Sequence, residues 1–132
     1  MEVKIDTKEK FTVVTPIAAS ISANIAAILI PICEKLLHEP IKNLVLNMGA
    51  VIEIDQSFAK QLLELQARFY ENSASFVICN ITNDVDQQLD QLEILEMLNI
   101  TPTESEAWDI VQMEEIEREL LDGDDINFET HS

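Results

Sequence analysis

The chain is poor in the residues that most chemistry requires. It has two glycines in 132 residues and neither G-x-x-x-x-G-K-[S/T] nor G-x-G-x-x-G, so no loop can wrap a phosphate with bare backbone, which argues against a nucleotide-binding enzyme. Its two cysteines, Cys33 and Cys79, stand far apart in apolar segments. That placement predicts reduced core thiols of a cytosolic protein rather than a disulfide framework or a metal site. The two histidines offer no ligand spacing: His38 falls where a helix should end, and His131 in an acidic tail. No metal, cofactor or catalytic residue is expected. Basic residues are also scarce, 8 against 25 acidic, for a formal charge of −17. Such a charge repels nucleic-acid phosphates and anionic membrane surfaces and leaves proteins or cations as partners. The uncharged run from Phe11 to Cys33 is broken by Pro16 and Pro31 and carries Thr, Ser and Asn. It holds no clean span of ~20 apolar residues, so membrane insertion is not expected. The charged, alternating start "MEVKIDTKEK" does not read as a secretory leader.

What is present is organised. Val3 and Ile5, then Phe11, Val13 and Ile17, alternate with polar residues around "TKEK", the pattern of a hairpin over residues 2–17. From Ser22, Ile25, Ile28, Leu29, Ile32 and Leu36 recur at helical spacing as far as His38, with Pro31 expected to kink or split the helix. "IKNLVLNMG" (41–49) and "SFVICNI" (75–81) read as buried strands. Between them Phe58, Leu62, Leu65 and Phe69 mark a helix over about 57–72. Asn83 is placed to cap a helix carrying Val85, Leu89, Leu92 and Leu95. After a short extended piece near Ile100, Thr103 and Glu106 have capping-box spacing ahead of a last helix running to Leu121. Strands alternating with helices predict one α/β sandwich over 1–121, with a mixed central sheet of about five strands and about four helices. "DGDDINFETHS" (122–132) reads as an acidic, disordered tail.

Ligand chemistry in such sheets lies beyond the carboxyl ends of the strands. In "IEIDQSFAKQL" (52–62) the apolar period changes from strand to helix at Asp55-Gln56-Ser57. Two readings compete. Asp55 caps the helix and Ser57 is a tolerated first-turn residue, or Ser57 is a phosphoacceptor whose charge the helix start accommodates while Asp55 and Glu53 oppose it.

With those residues in view the chain resembles the STAS domain family, named for sulphate transporters and anti-sigma factor antagonists. "IKNLVLNMGAVIEIDQSFAKQLLEL" is similar to the family's strand, linker, Asp, hydroxyl residues and amphipathic helix. "SFVICNITNDVDQQLDQLEILEML" is similar to its next strand and leucine-bearing helix, and "ITPTESEAW" to its last strand and helix start. The resemblance implies a cytoplasmic, bacterial, non-enzymatic interaction module of a partner-switching pathway. Its partner would be an anti-sigma factor or GHKL-type serine kinase. Asp55, Gln56, Ser57, Phe58 and Lys60 would form the contact, and Ser57 would be the phosphoacceptor. Gln56 stands where many antagonists carry a first hydroxyl and cannot accept phosphate, and Phe58 replaces a small residue. The alternative within the family is a scaffold subunit of a lipid-transport or stressosome-type complex that works without phosphorylation. A phosphoaspartate receiver is disfavoured, because "VVTPIAAS" lacks the acidic pair that holds its divalent cation.

Overall fold

The computed structural model describes residues 1–131, with side chains through Leu121. Strands β1 (Glu2–Thr7) and β2 (Thr12–Ile17) form the expected antiparallel hairpin, closed where the Lys8 N–H donates to the Phe11 carbonyl at 2.7 Å. β2 then pairs in parallel with β4 (Leu44–Asn47), β4 with β6 (Phe76–Cys79) and β6 with β7 (Ile100–Thr101). The result is a mixed five-stranded sheet in the order β1-β2-β4-β6-β7.

Register and period fix its two faces. Val13, Val45 and Val77 lie side by side on one, and Val14, Leu46, Ile78 and Ile100 on the other, because successive side chains of a strand alternate. The second face is covered by α1 (Ala23–Lys35), α2 (Gln56–Glu71) and α3 (Asn83–Gln91), which contribute Leu29, Cys33, Phe58, Leu62, Leu65, Phe69, Val85 and Leu89 to the main core. Among the described residues the valine face is covered by α4 (Glu104–His131) alone, through Ala107 and Val111. The acidic segment expected at 122–132 lies outside the residues whose side chains are described.

Three local expectations are corrected. Pro31 does not split α1, which runs from Ala23 to Lys35. Pro31 and Ala27, one turn apart, are both exposed, so the carbonyl that loses its partner is open to water. The cap of α3 is Thr82 rather than Asn83. Its hydroxyl accepts from the Val85 N–H at 3.3 Å and donates to the Val51 carbonyl at 2.8 Å, two bonds that hold it at the helix start. Residues 53–54 form β5 (Glu53–Ile54), which does not join the main sheet but pairs in parallel with an unanticipated β3 (Ser20–Ile21).

The shortage of glycine is met at the helix ends by residues forced into the left-handed region. Ser73 (φ 57°) follows α2 and Glu93 (φ 61°) follows α3. In each case the next N–H returns to a carbonyl five residues back, Ala74 to Phe69 at 2.9 Å and Ile94 to Leu89 at 3.0 Å. This is the bonding that usually recruits glycine.

Candidate functional site

The strand-to-helix junction is held on both flanks before its functional side chains are placed. On one side β3 receives it: the N–H groups of Ile52 and Glu53 donate to the Ala19 carbonyl at 2.8 and 3.0 Å, and that of Asp55 to the Ile21 carbonyl at 2.9 Å. On the other, Gln88 of α3 accepts from the Ile54 N–H at 2.9 Å and donates to the Ile52 carbonyl at 2.9 Å. The chain can turn sharply into this segment because Gly49 sits against Asn47. Asn47 Oδ1 accepts the Gly49 N–H at 2.9 Å and would lie 3.1 Å from an added Cβ.

Asp55 ends the extended segment with φ −73° and ψ 146° and caps α2, its Oδ2 accepting from the Ser57 N–H at 2.9 Å. The same oxygen accepts a close hydrogen bond from the Ser57 hydroxyl. The hydroxyl donation, then the backbone donation, hold the Asp55 carboxyl below its ordinary value of 3.8, with a small opposing effect of desolvation. A carboxylate held low is a weaker base, and its two hydrogen bonds fix the orientation of the Ser57 N–H and hydroxyl. With its proton committed to Asp55, the exposed Ser57 oxygen keeps its lone pairs available to an electrophile arriving from solvent.

Of the five contact residues expected from sequence, the structure brings Asp55, Gln56, Ser57 and Lys60 to the surface together. Lys60 is one turn from Ser57, near enough to share a helix face, and has no carboxylate partner among the described residues. Phe58 is corrected. It is fully buried in the main core, because the apolar stripe that continues through Leu62, Leu65 and Phe69 begins with it. Its side chain offers no contact surface.

The structure also adds Ser20, Ser22 and Gln88, neighbours the sequence did not point to. A depression of about 390 Å³ is lined by Ser20, Ser22, Glu53, Asp55, Gln56 and Gln88 among others. Ser20 donates to Glu53 at 3.1 Å, and Ser22 caps α1 by accepting from the Ile25 N–H at 3.3 Å. Because β3 and β5 run parallel and each feeds a helix, the starts of α1 and α2 open on the same depression. Two positive helix ends thus offset the two carboxylates there. Ile52, half exposed beside Glu53, adds an apolar contact. The N-cap position of Ser22 was the only readable signal for this group; the role of Gln88 depends on a long-range contact that no local pattern encodes.

Cys33 and Cys79 are free and buried, and burial pushes both thiols up to about 12. Among the described residues no helix is long and apolar enough to cross a membrane.

Comparison with known proteins places this geometry. The STAS domain family model matches residues 2–107. A candidate anti-sigma factor antagonist from Thermotoga maritima has a similar structure, with a TM-score of 0.73, 14% identity, and coverage of 83% of this chain and 94% of that one. The phosphorylated form of the Bacillus cell fate determinant SpoIIAA has a TM-score of 0.63 at 12% identity, covering 83% and 99%. Part of the murine anion transporter Slc26a9 has a TM-score of 0.62 at 16% identity, over 79% of this chain and 18% of the transporter. No curated protein sequence matches the chain. With the family match spanning most of the sequence and the five-stranded mixed sheet and four helices in agreement, the chain belongs to the STAS domain family.

Proposed function

We propose that this protein is an anti-sigma factor antagonist of a partner-switching pathway. It docks on an anti-sigma factor or serine kinase through the start of α2 and is released when Ser57 is phosphorylated. The observation that carries the reading is the Ser57 hydroxyl, exposed at a helix N-terminus and oriented by Asp55. In the reaction the Ser57 oxygen takes the γ-phosphoryl group of ATP, ADP leaves, and the hydroxyl proton passes to a base of the kinase. The product carries about two negative charges. The starts of α1 and α2 and the cation of Lys60 favour those charges, and Asp55 and Glu53 oppose them. The balance permits modification without unfolding while reversing what the surface offers a partner. That the Bacillus SpoIIAA fold has been solved phosphorylated supports the compatibility of such a domain with the modification.

The test is incubation with magnesium, ATP and the serine kinase encoded nearest to this protein's own gene, followed by intact mass and peptide mapping. The expected result is one added phosphate on Ser57, absent from Ser57→Ala. No added mass with a kinase that binds the chain would favour a STAS scaffold working without phosphorylation.

A further inference from the structure

α4 has two apolar faces, and the fold uses one. Ala107 and Val111 pack on the valine face of the sheet. Glu114 and Arg118 continue that inward side, Glu114 accepting from the Tyr70 hydroxyl at 2.8 Å and Arg118 donating to Ser75 Oγ at 3.2 Å. On the opposite side Met113, Ile116 and Leu120 follow at spacings of three and four and are 60%, 54% and 60% exposed. At 3.6 residues per turn these three form one stripe pointing away from the sheet. A helix of a monomeric domain rarely leaves three large side chains in line to water.

The borders of the stripe say what covers it. Between Glu104 and Leu121 the helix carries seven carboxylates and a single arginine, and Arg118 is turned inward. The charges beside the stripe are therefore exposed Asp109, Glu117 and Glu119. A second copy would bring the same acidic borders together, which electrostatics opposes. We propose that this face of α4 docks an amphipathic helix of a protein partner, with apolar residues at spacings of three and four and Lys or Arg along both borders. This helix-in-groove recognition uses side-chain anchors in line. The surface lies across the sheet from α2, so it is a second contact, independent of Ser57.

The experiment uses the whole chain and a synthetic amphipathic peptide of about 18 residues, leucine on one face and lysine on its borders, long enough to hold a helix when bound. Calorimetric titration compares it with a scrambled peptide of the same composition and with a version carrying glutamate on the borders. The lysine peptide is expected to bind and the other two not. Ile116→Ser with Leu120→Ser should weaken binding by about tenfold or more at an unchanged melting temperature, while Ser57→Asp should leave affinity unchanged. Added salt should weaken binding. Equal binding of the scrambled peptide, or an unaffected double variant, would overturn the proposal. So would a sharp loss of stability in that variant, which would mean the stripe is packed. Sedimentation showing a dimer that Ile116→Arg dissociates would assign the face to a second copy instead. Binding to phosphatidylcholine vesicles that the double variant abolishes would assign it to a membrane.

Discussion

Asn43, only 4% exposed, fastens α4 to the sheet. Its amide nitrogen donates to the Lys10 carbonyl at 2.9 Å and to Glu115 Oε1 at 2.7 Å, and its oxygen accepts the buried Ser75 N–H at 2.7 Å. Asn43→Ala removes these three bonds, worth about 1 kcal/mol each in net terms, and a longer fourth one that the oxygen accepts from Arg118 at 3.4 Å. It also leaves the Ser75 N–H buried without an acceptor, which costs about 1–3 kcal/mol if water cannot enter. Part of this overlaps, and a loss of about 3–4 kcal/mol is expected. With a urea m-value of about 2 kcal/mol/M for a domain of this size, the midpoint should fall by about 1.5–2 M at constant m. Glu115→Ala should cost less. In a double-mutant cycle the pair should be non-additive by about 0.5 kcal/mol or more, because they share a bond. A midpoint shift below about 0.5 M, or strict additivity, would refute the claim that this amide pins α4.

Ser73→Gly and Glu93→Gly should each stabilise the fold by about 0.5–1 kcal/mol in urea unfolding, since both residues sit at positive φ with no side-chain reason to do so; a loss of stability would show that their side chains matter more than their backbone. Cys33 and Cys79, with thiols pushed up to about 12, should resist iodoacetamide at pH 8 in the folded protein and react at once in urea, rapid native labelling of either being the contrary result. Asp55, held below its ordinary value in the fold, contributes stability that is present above pH 3.8 and lost as pH falls through its lower folded value. Asp55→Asn should therefore flatten the acid limb of stability against pH in that window, and an unchanged limb would mean the Ser57 hydrogen bonds do not act on it.

The main sheet was legible because the alternation at Phe11 and Val13, the continuous apolar runs around Val45 and Val77, and helical spacing at Phe58, Leu62, Leu65 and Phe69 each report burial directly. The junction was legible for the same reason: Asp55 marks the residue where one period gives way to the other. What stayed hidden depends on contacts distant in sequence. β3 and β5 are two residues long and exist only because they pair with each other across 33 positions, Ser20 with Glu53. Thr82 displaced Asn83 as cap because Val51 also claims its hydroxyl. The exposed stripe of α4 cannot be told from a core face by local pattern, since Met113, Ile116 and Leu120 have the same spacing as core residues. Only the position of the sheet shows that they face away from it.

The central claim is that Asp55 and Ser57 form a recognition point whose charge state governs binding while the fold stays intact. The direct measurement sets Ser57→Asp and Ser57→Ala beside the parent and reads two quantities on the same samples: the urea midpoint, and the affinity for the anti-sigma factor or kinase whose gene adjoins this one. The midpoints should agree within error, because a helix start tolerates an added carboxylate. The affinity should be lowered on the order of tenfold or more by the aspartate and only slightly by the alanine, through repulsion and desolvation at the contact. Unchanged affinity for Ser57→Asp, or a fall in affinity matched by a fall in stability, would contradict it and leave the junction as a helix cap.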